Sequence, residues 1–205
     1  NAIIDIDKDS KYEYEKVFEE LDSLGCKFLE IRVFDEVPMN SLVKLLDSSH
    51  NKRFSIILLL KYSINYTEEF IFHSILDKFR NIVKLIIHST PGSLPIVSRT
   101  GIIEFTCQVI VNEECCGNIS SKNFAVNVYH YNESLLFNTC LNKKLSIDRF
   151  GNIKNCPALK ENYGSIENTS IIKVVEDEGF KKYWGINKDQ VLVCKDCQFR
   201  RICTD

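Results

Sequence analysis

The sequence predicts an α/β fold, a partial (βα) barrel or an open and mostly parallel sheet, followed by a small irregular cysteine-rich module. Three observations predict it. Apolar runs begin near residues 27, 54 and 82, a spacing of roughly 27 residues, which is what a strand, a loop, a helix and a return loop require. The later runs are apolar almost throughout, as parallel strands covered on their faces are. From about residue 112 the alternation stops, and five cysteines follow from position 140 onward. The expected division is an α/β domain over 1–115 and the cysteine module over 116–205.

Taken in order, KYEYEKVFEELDSL (11–24) sets Tyr14, Val17, Phe18, Leu21 and Leu24 at helical spacing, with Asp9 or Ser10 as the cap and Gly25 just past the end. KFLEIRVF then alternates Leu29, Ile31 and Val33 against Glu30 and Arg32 and reads as a strand, followed by a short helix through Leu42, Val43, Leu45 and Leu46. FSIILLL (54–60) is the next strand, Thr67 to Phe79 a helix carrying His73, and IVKLIIH (82–88) a further strand. TPGSLPIVSRTG (90–101) is a loop by its prolines and glycines, and IIEFTCQVIV predicts a fourth strand with Ile103, Phe105, Cys107, Val109 and Val111 on one side. ECCGNISSKN is a turn-rich junction. Beyond it LSIDRFGNI predicts a hairpin, with strands at Lys144–Ile147 and Asn152–Lys154 about a turn at Asp148–Gly151, and one weak helix is expected near Ser170 to Lys181.

Composition excludes several functional classes. With 205 residues and 44% hydrophobic content the chain can bury a core. Its 26 basic residues nearly cancel 28 acidic ones, which removes the attraction that drives non-specific nucleic-acid binding and recruitment to anionic membranes. The longest apolar run, SIILLLKY, is cut at Lys61, well short of the roughly 18–20 residues of a spanning helix. NAIIDIDKDSKYEYE lacks the basic and apolar regions of a secretory signal. The expectation is a cytoplasmic chain with neither nucleic acid nor membrane as partner. Asn1-Ala2 reads as a cloning remnant and Ile3 onward as the interior of a domain, with Met39 the single methionine, so the chain reads as a fragment.

Nine cysteines in a cytoplasmic chain point to metal binding or catalysis before a disulfide framework, and an odd number excludes complete pairing. Cys140 and Cys156 stand in the pattern C-x10-G-x4-C, at the two ends of the predicted hairpin, which brings them together in space. After 37 residues Cys194, Cys197 and Cys203 form C-x2-C-x5-C. The x2 step lets two thiolates face one ion or cluster from a tight turn, and the x5 step lets a further turn deliver a third. Irregular structure with few apolar periods is commonly held by a bound metal.

These two patterns in this order resemble the SPASM domain, the auxiliary-cluster module of radical S-adenosylmethionine enzymes that modify peptides and proteins. NTCLNKKLSIDRFGNIKNCP and KKYWGINKDQVLVCKDCQFRRICTD are similar, more narrowly, to the peptide maturases of grasp-with-spasm systems. The resemblance is specific over 116–205 and looser upstream, where LDSLGCKFLEIRVFDE and KLIIHST look like that family's radical-enzyme-like barrel half. It implies that Cys140 and Cys156 help hold one four-iron four-sulfur cluster and that Cys194, Cys197 and Cys203 help hold a second. It further implies modification of a ribosomally made precursor peptide beside an ATP-grasp peptide ligase, with the clusters passing electrons or positioning the peptide.

Two departures qualify what is implied. The family pattern continues with further cysteines where this chain ends at Asp205, so each cluster is short of protein ligands. The C-x3-C-x2-C motif that binds the iron cleaving S-adenosylmethionine has no match among positions 26, 107, 115, 116, 140, 156, 194, 197 and 203, and no S-adenosylmethionine site is identified. A non-catalytic adaptor, stapled by zinc or a cluster and binding the precursor peptide or the ligase, is the alternative from another class.

Other readings of the same residues are blander. Zinc competes for the C-x2-C pair. A thioredoxin-like role needs C-x-x-C at a helix start after a strand, whereas CKDC follows VLV and leads into FRRIC. Cys115-Cys116-Gly117 marks a turn between domains, and Cys26 and Cys107 occupy positions where a core side chain belongs. His88, at a strand end, is the histidine to test. Asp148 and Asp196 neighbour the cysteine runs, Arg200 and Arg201 are either solvated or donors toward cluster sulfurs, and Trp184 packs against the cluster segment as an aromatic anchor.

Overall fold

In the computed structural model, which describes residues 1–10, 12–67, 70–92, 103–115 and 124–204, the chain forms one seven-stranded, mostly parallel sheet. The elements are β1 (Ala2–Ile6), α1 (Glu15–Ser23), β2 (Phe28–Val33), α2 (Met39–Ser48), β3 (Ser55–Lys61), a π-helix (Phe70–Leu76) and β4 (Ile82–His88). After these come β5 (Ile103–Phe105), a 3-10 turn (Glu113–Cys115), α3 (Val128–Leu136), β6 (Leu145–Ile147), β7 (Ile153–Lys154), α4 (Ile171–Glu176) and α5 (Glu178–Lys181). The strand order is β5-β4-β3-β2-β1-β6-β7. Every neighbouring pair is parallel except β6 with β7.

Register explains the core. Ile147, Ile4, Ile31, Leu58, Leu85 and Ile103 lie opposite one another across six strands and form one apolar row. Because strand side chains alternate between faces, Ile6, Val33, Leu60 and Ile87 form a second row on the same face. Both rows share a single core cluster with Val17, Phe18 and Leu21 of α1 and Leu42 and Leu46 of α2, so this is the face the helices cover. Phe18, fully buried, meets the Phe54 ring at 5.9 Å.

The opposite face carries Asp5 and Arg32, which are register partners on β1 and β2. Arg32 donates from Nε to Asp5 Oδ1 at 2.6 Å and from Nη2 to Oδ2 at 2.8 Å, a two-point grip on a carboxylate that is fully buried. Burial pushes the Asp5 carboxyl from 3.8 up to about 6 against the lowering pull of the guanidinium.

Several expectations need correction. The first strand is β1, not β2: IIDI, with its charged Asp5, does not read as a strand, yet it lies inside the sheet between β2 and β6. The predicted cap of α1 is absent, since Asp7 and Ser10 close a turn of their own, the Asp7 N–H donating to Ser10 Oγ at 3.1 Å. Gly25 does follow the helix, at φ 69. The helix expected from Thr67 to Phe79 is the π-helix Phe70–Leu76. The fourth predicted strand reaches only Phe105, and Cys107, Val109 and Val111 are exposed, so Cys107 is not a core residue. The loop 93–102 and the junction 116–123, including Cys116 and Gly117, lie outside the described residues.

The second half is better organised than its periodicity suggests. Helix α3 is not anticipated, because its Val128, Tyr129 and Leu136 are exposed and leave no one-sided apolar pattern; Asn127 caps it, accepting the His130 N–H at 2.9 Å. The single helix expected near 170–181 is divided at Asp177, whose carboxylate accepts the Phe180 N–H at 3.1 Å and starts α5. The hairpin forms as expected, and β6 pairs in parallel with β1, Ala2 opposite Leu145 and Ile4 opposite Ile147. The sheet therefore runs across the division expected at 115/116.

Candidate functional site

The hairpin turn is built on Asp148. Its Oδ1 accepts the N–H groups of Phe150 at 3.0 Å and Asn152 at 2.9 Å, and Oδ2 pairs with Lys154 Nζ at 2.9 Å. Asp148 is thus a turn-forming residue. Gly151 takes φ 76, and a Cβ there would stand 2.9 Å from the Tyr12 ring, so the glycine of C-x10-G-x4-C answers both to backbone conformation and to close approach. The turn docks on the loop after β1: Tyr12 donates to Phe150 O at 2.6 Å, and Ser10 to Arg149 O at 3.0 Å.

At the base of the same hairpin, Asn138 Oδ1 accepts the N–H groups of Cys140 and Leu141, each at 3.0 Å. Asn155 Nδ2 donates to Leu141 O at 3.0 Å and to Lys144 O at 2.8 Å, which ties the residue before Cys156 to the residue after Cys140. Cys140 and Cys156, both half-buried, therefore sit at adjoining ends of one rigid hairpin.

Residues 194–203 form successive turns. The Cys197 N–H donates to Cys194 O at 2.9 Å, and the Cys203 N–H to Phe199 O at 2.9 Å. Cys194 and Cys203 are half-buried and Cys197 exposed, and none of the three is in a disulfide. VLV (191–193) is not a strand and CKDC does not open a helix, so the βαβ setting of a redox pair is lacking.

The contacts that join these turns to the hairpin have no signature in the sequence. Lys188 is 8% exposed, and its ammonium donates to Cys203 O at 2.5 Å and to Thr139 Oγ1, beside Cys140, at 3.4 Å. His130 on α3 also reaches Cys203 O, from Nε2 at 3.1 Å; since the carbonyl accepts, Nε2 carries the hydrogen. Ala125 N–H donates to Ile202 O at 2.8 Å, and the Phe124 and Phe199 rings lie 5.3 Å apart. The Trp184 ring packs on the sheet core and meets Phe180 edge-on, and its carbonyl accepts the Asn138 N–H at 2.8 Å.

The guanidiniums of Arg200 and Arg201 are held by oxygen acceptors. Arg200 bridges Asp189 and Cys197 O, while Arg201 bridges Asp189 and Ser134 O. Hydrogen bonds from both guanidiniums hold the Asp189 carboxyl below the usual carboxylate range. Asp196 is exposed. His88 is fully buried, with Nε2 on Val33 O at 3.1 Å and Nδ1 on the Ser89 hydroxyl at 3.0 Å; burial lowers its pKa and keeps the ring neutral, a structural role. Cys26 is half-buried, its thiol donating to Phe28 O at 3.3 Å.

Among the described residues no three His, Cys, Asp or Glu side chains stand close enough together to hold one metal ion. The five cysteines therefore do not gather three or more to one point in this structure. No family model, curated protein or solved structure matches the chain. No described helix is long and apolar enough to cross a membrane.

Proposed function

We propose that this chain is a cytoplasmic component of a ribosomal-peptide modification system, a SPASM-type peptide maturase whose C-terminal region handles a precursor peptide and acts beside an ATP-grasp ligase. The observation that carries the reading is the convergence of two cysteine patterns distant in sequence. Lys188 joins the Cys203 carbonyl to Thr139, the residue before Cys140, and Asn155, the residue before Cys156, is bonded to the Leu141 carbonyl. Cys140, Cys156, Cys194, Cys197 and Cys203 are the metal-ligand candidates, for iron–sulfur clusters first and zinc second.

A second reading, a non-catalytic adaptor, is favoured by exposed apolar side chains around this region: Leu136 on α3, and Leu192 and Val193 before Cys194, are 67%, 79% and 86% exposed. Anaerobic reconstitution with iron and sulfide, followed by metal and sulfide analysis and an optical spectrum, separates the two. Retained iron and sulfide with a charge-transfer absorption that bleaches on reduction, lost in Cys194→Ser/Cys197→Ser, supports the maturase. Zinc alone in a colourless protein overturns it in favour of the adaptor.

A further inference from the structure

Strands β1, β2 and β6 begin side by side, with Ala2 opposite both Leu29 and Leu145. A cleft of about 510 Å³ opens between these amino ends, the end of α1 and the segment bearing Trp184, within the usual range for a small-molecule site. Lys27, just before β2, and Lys143 and Lys144, just before β6, all line it. Because β2 and β6 flank β1, the two lysine-bearing segments stand two strand spacings apart, about 10 Å. Among the described residues none of these three ammonium groups forms an ion pair. The one carboxylate in the lining belongs to Glu133, whose Oε1 accepts Asn142 Nδ2 at 2.8 Å. The terminal ammonium of Asn1, donating to Lys143 O at 3.1 Å, adds to the positive charge.

Apolar side chains complete the wall. Leu24, at the end of α1, is 41% exposed, and Val175 and Trp184 are only partly buried against the core, so all three present carbon surface to the cavity. Cations gathered on one rim repel each other, and the apolar wall beside them is left in water. One ligand answers both, with an anionic oxygen group for the lysines and a hydrocarbon body for the wall. A lysine is a point charge on a flexible four-carbon stem, so ammonium groups from the two segments can close on one oxyanion. We propose that this cleft binds a small amphipathic anion, a carboxylate or phosphate monoester on an apolar body, with Lys27, Lys143 and Lys144 around the anionic group and the body against Leu24, Val175 and Trp184. None of the five candidate cysteines lines the cleft, so the inference is independent of the metal-ligand reading.

Octanoate, titrated into the chain, is followed by calorimetry and by the emission of Trp184, the sole tryptophan. Saturable binding with a change in emission is expected. Octanamide keeps the tail and lacks the charge, acetate keeps the charge and lacks the tail, and each binds about tenfold more weakly or worse. Raised ionic strength weakens octanoate and leaves octanamide unchanged, a comparison made on the unaltered chain. Lys27→Gln/Lys143→Gln/Lys144→Gln, with its urea midpoint as the check on folding, loses about tenfold in octanoate affinity and nothing in octanamide affinity. Octyl phosphate identifies the headgroup: tighter binding than octanoate marks a phosphate monoester, weaker binding a carboxylate. Absence of saturable octanoate binding, or equal binding of octanamide, overturns the proposal. So does loss of octanoate binding on acetylation of the Asn1 amine alone, because the anion then sits on the chain terminus and not on the lysines.

Discussion

Replacing Gly151 by alanine tests how the hairpin that carries Cys140 and Cys156 is held to the sheet. At φ 76 an L-residue pays about 1–2 kcal/mol of backbone strain. The new Cβ also meets Cε1 and Cζ of Tyr12 at 2.9 Å. Relief requires the ring to shift and to give up its 2.6 Å hydrogen bond to Phe150 O, a net loss of about 0.5–1.5 kcal/mol. The sum is ~2–3 kcal/mol, a sizeable part of the roughly 5–15 kcal/mol that stabilises a typical domain. Urea unfolding followed by Trp184 emission measures it, with an unchanged m-value showing that stability alone has moved. In a Tyr12→Ala background the clash is gone, so the same substitution costs only the backbone share, giving a coupling of about 1 kcal/mol. A cost below about 0.5 kcal/mol, or an equal cost in both backgrounds, refutes the close-packing argument.

Other substitutions probe the remaining joints. Asp5→Asn strands the buried Arg32 charge and is expected to destabilise by about 3–5 kcal/mol at pH 7, measured by the same unfolding. Lys188→Met removes the tie between Cys203 and Thr139 and exposes the Ala125 amide, bonded to Ile202 O, to hydrogen exchange at least several-fold faster; unchanged exchange contradicts the docking role. Leu58→Ala, in the middle of the six-strand apolar row, is expected to cost about 2–5 kcal/mol, read from the urea midpoint.

The first half was legible because β3 is an unbroken apolar run, β4 nearly so, and β2 alternates cleanly, so that Leu58, Leu85 and Ile31 announce themselves by composition and period. β1 escaped because Asp5 breaks its apolar run, and only the partner strand's Arg32 explains how a carboxylate is tolerated there. α3 escaped because its apolar residues face outward. Among the candidate residues, the hairpin between Cys140 and Cys156 followed from the turn chemistry of Asp148 and Gly151, which is local. The Lys188 tie joins residues 49 and 15 positions apart in sequence. No local pattern marks such a contact, and a lone lysine ordinarily reads as solvated.

The central claim is that five specific cysteines act together as ligands. Residue-resolved alkylation of the chain, before and after anaerobic loading with iron and sulfide, tests it most directly by mass spectrometry. The account predicts that Cys140, Cys156, Cys194, Cys197 and Cys203 become protected on loading while exposed Cys107 and half-buried Cys26 label at unchanged rates. Equal labelling of the five with and without iron and sulfide contradicts it.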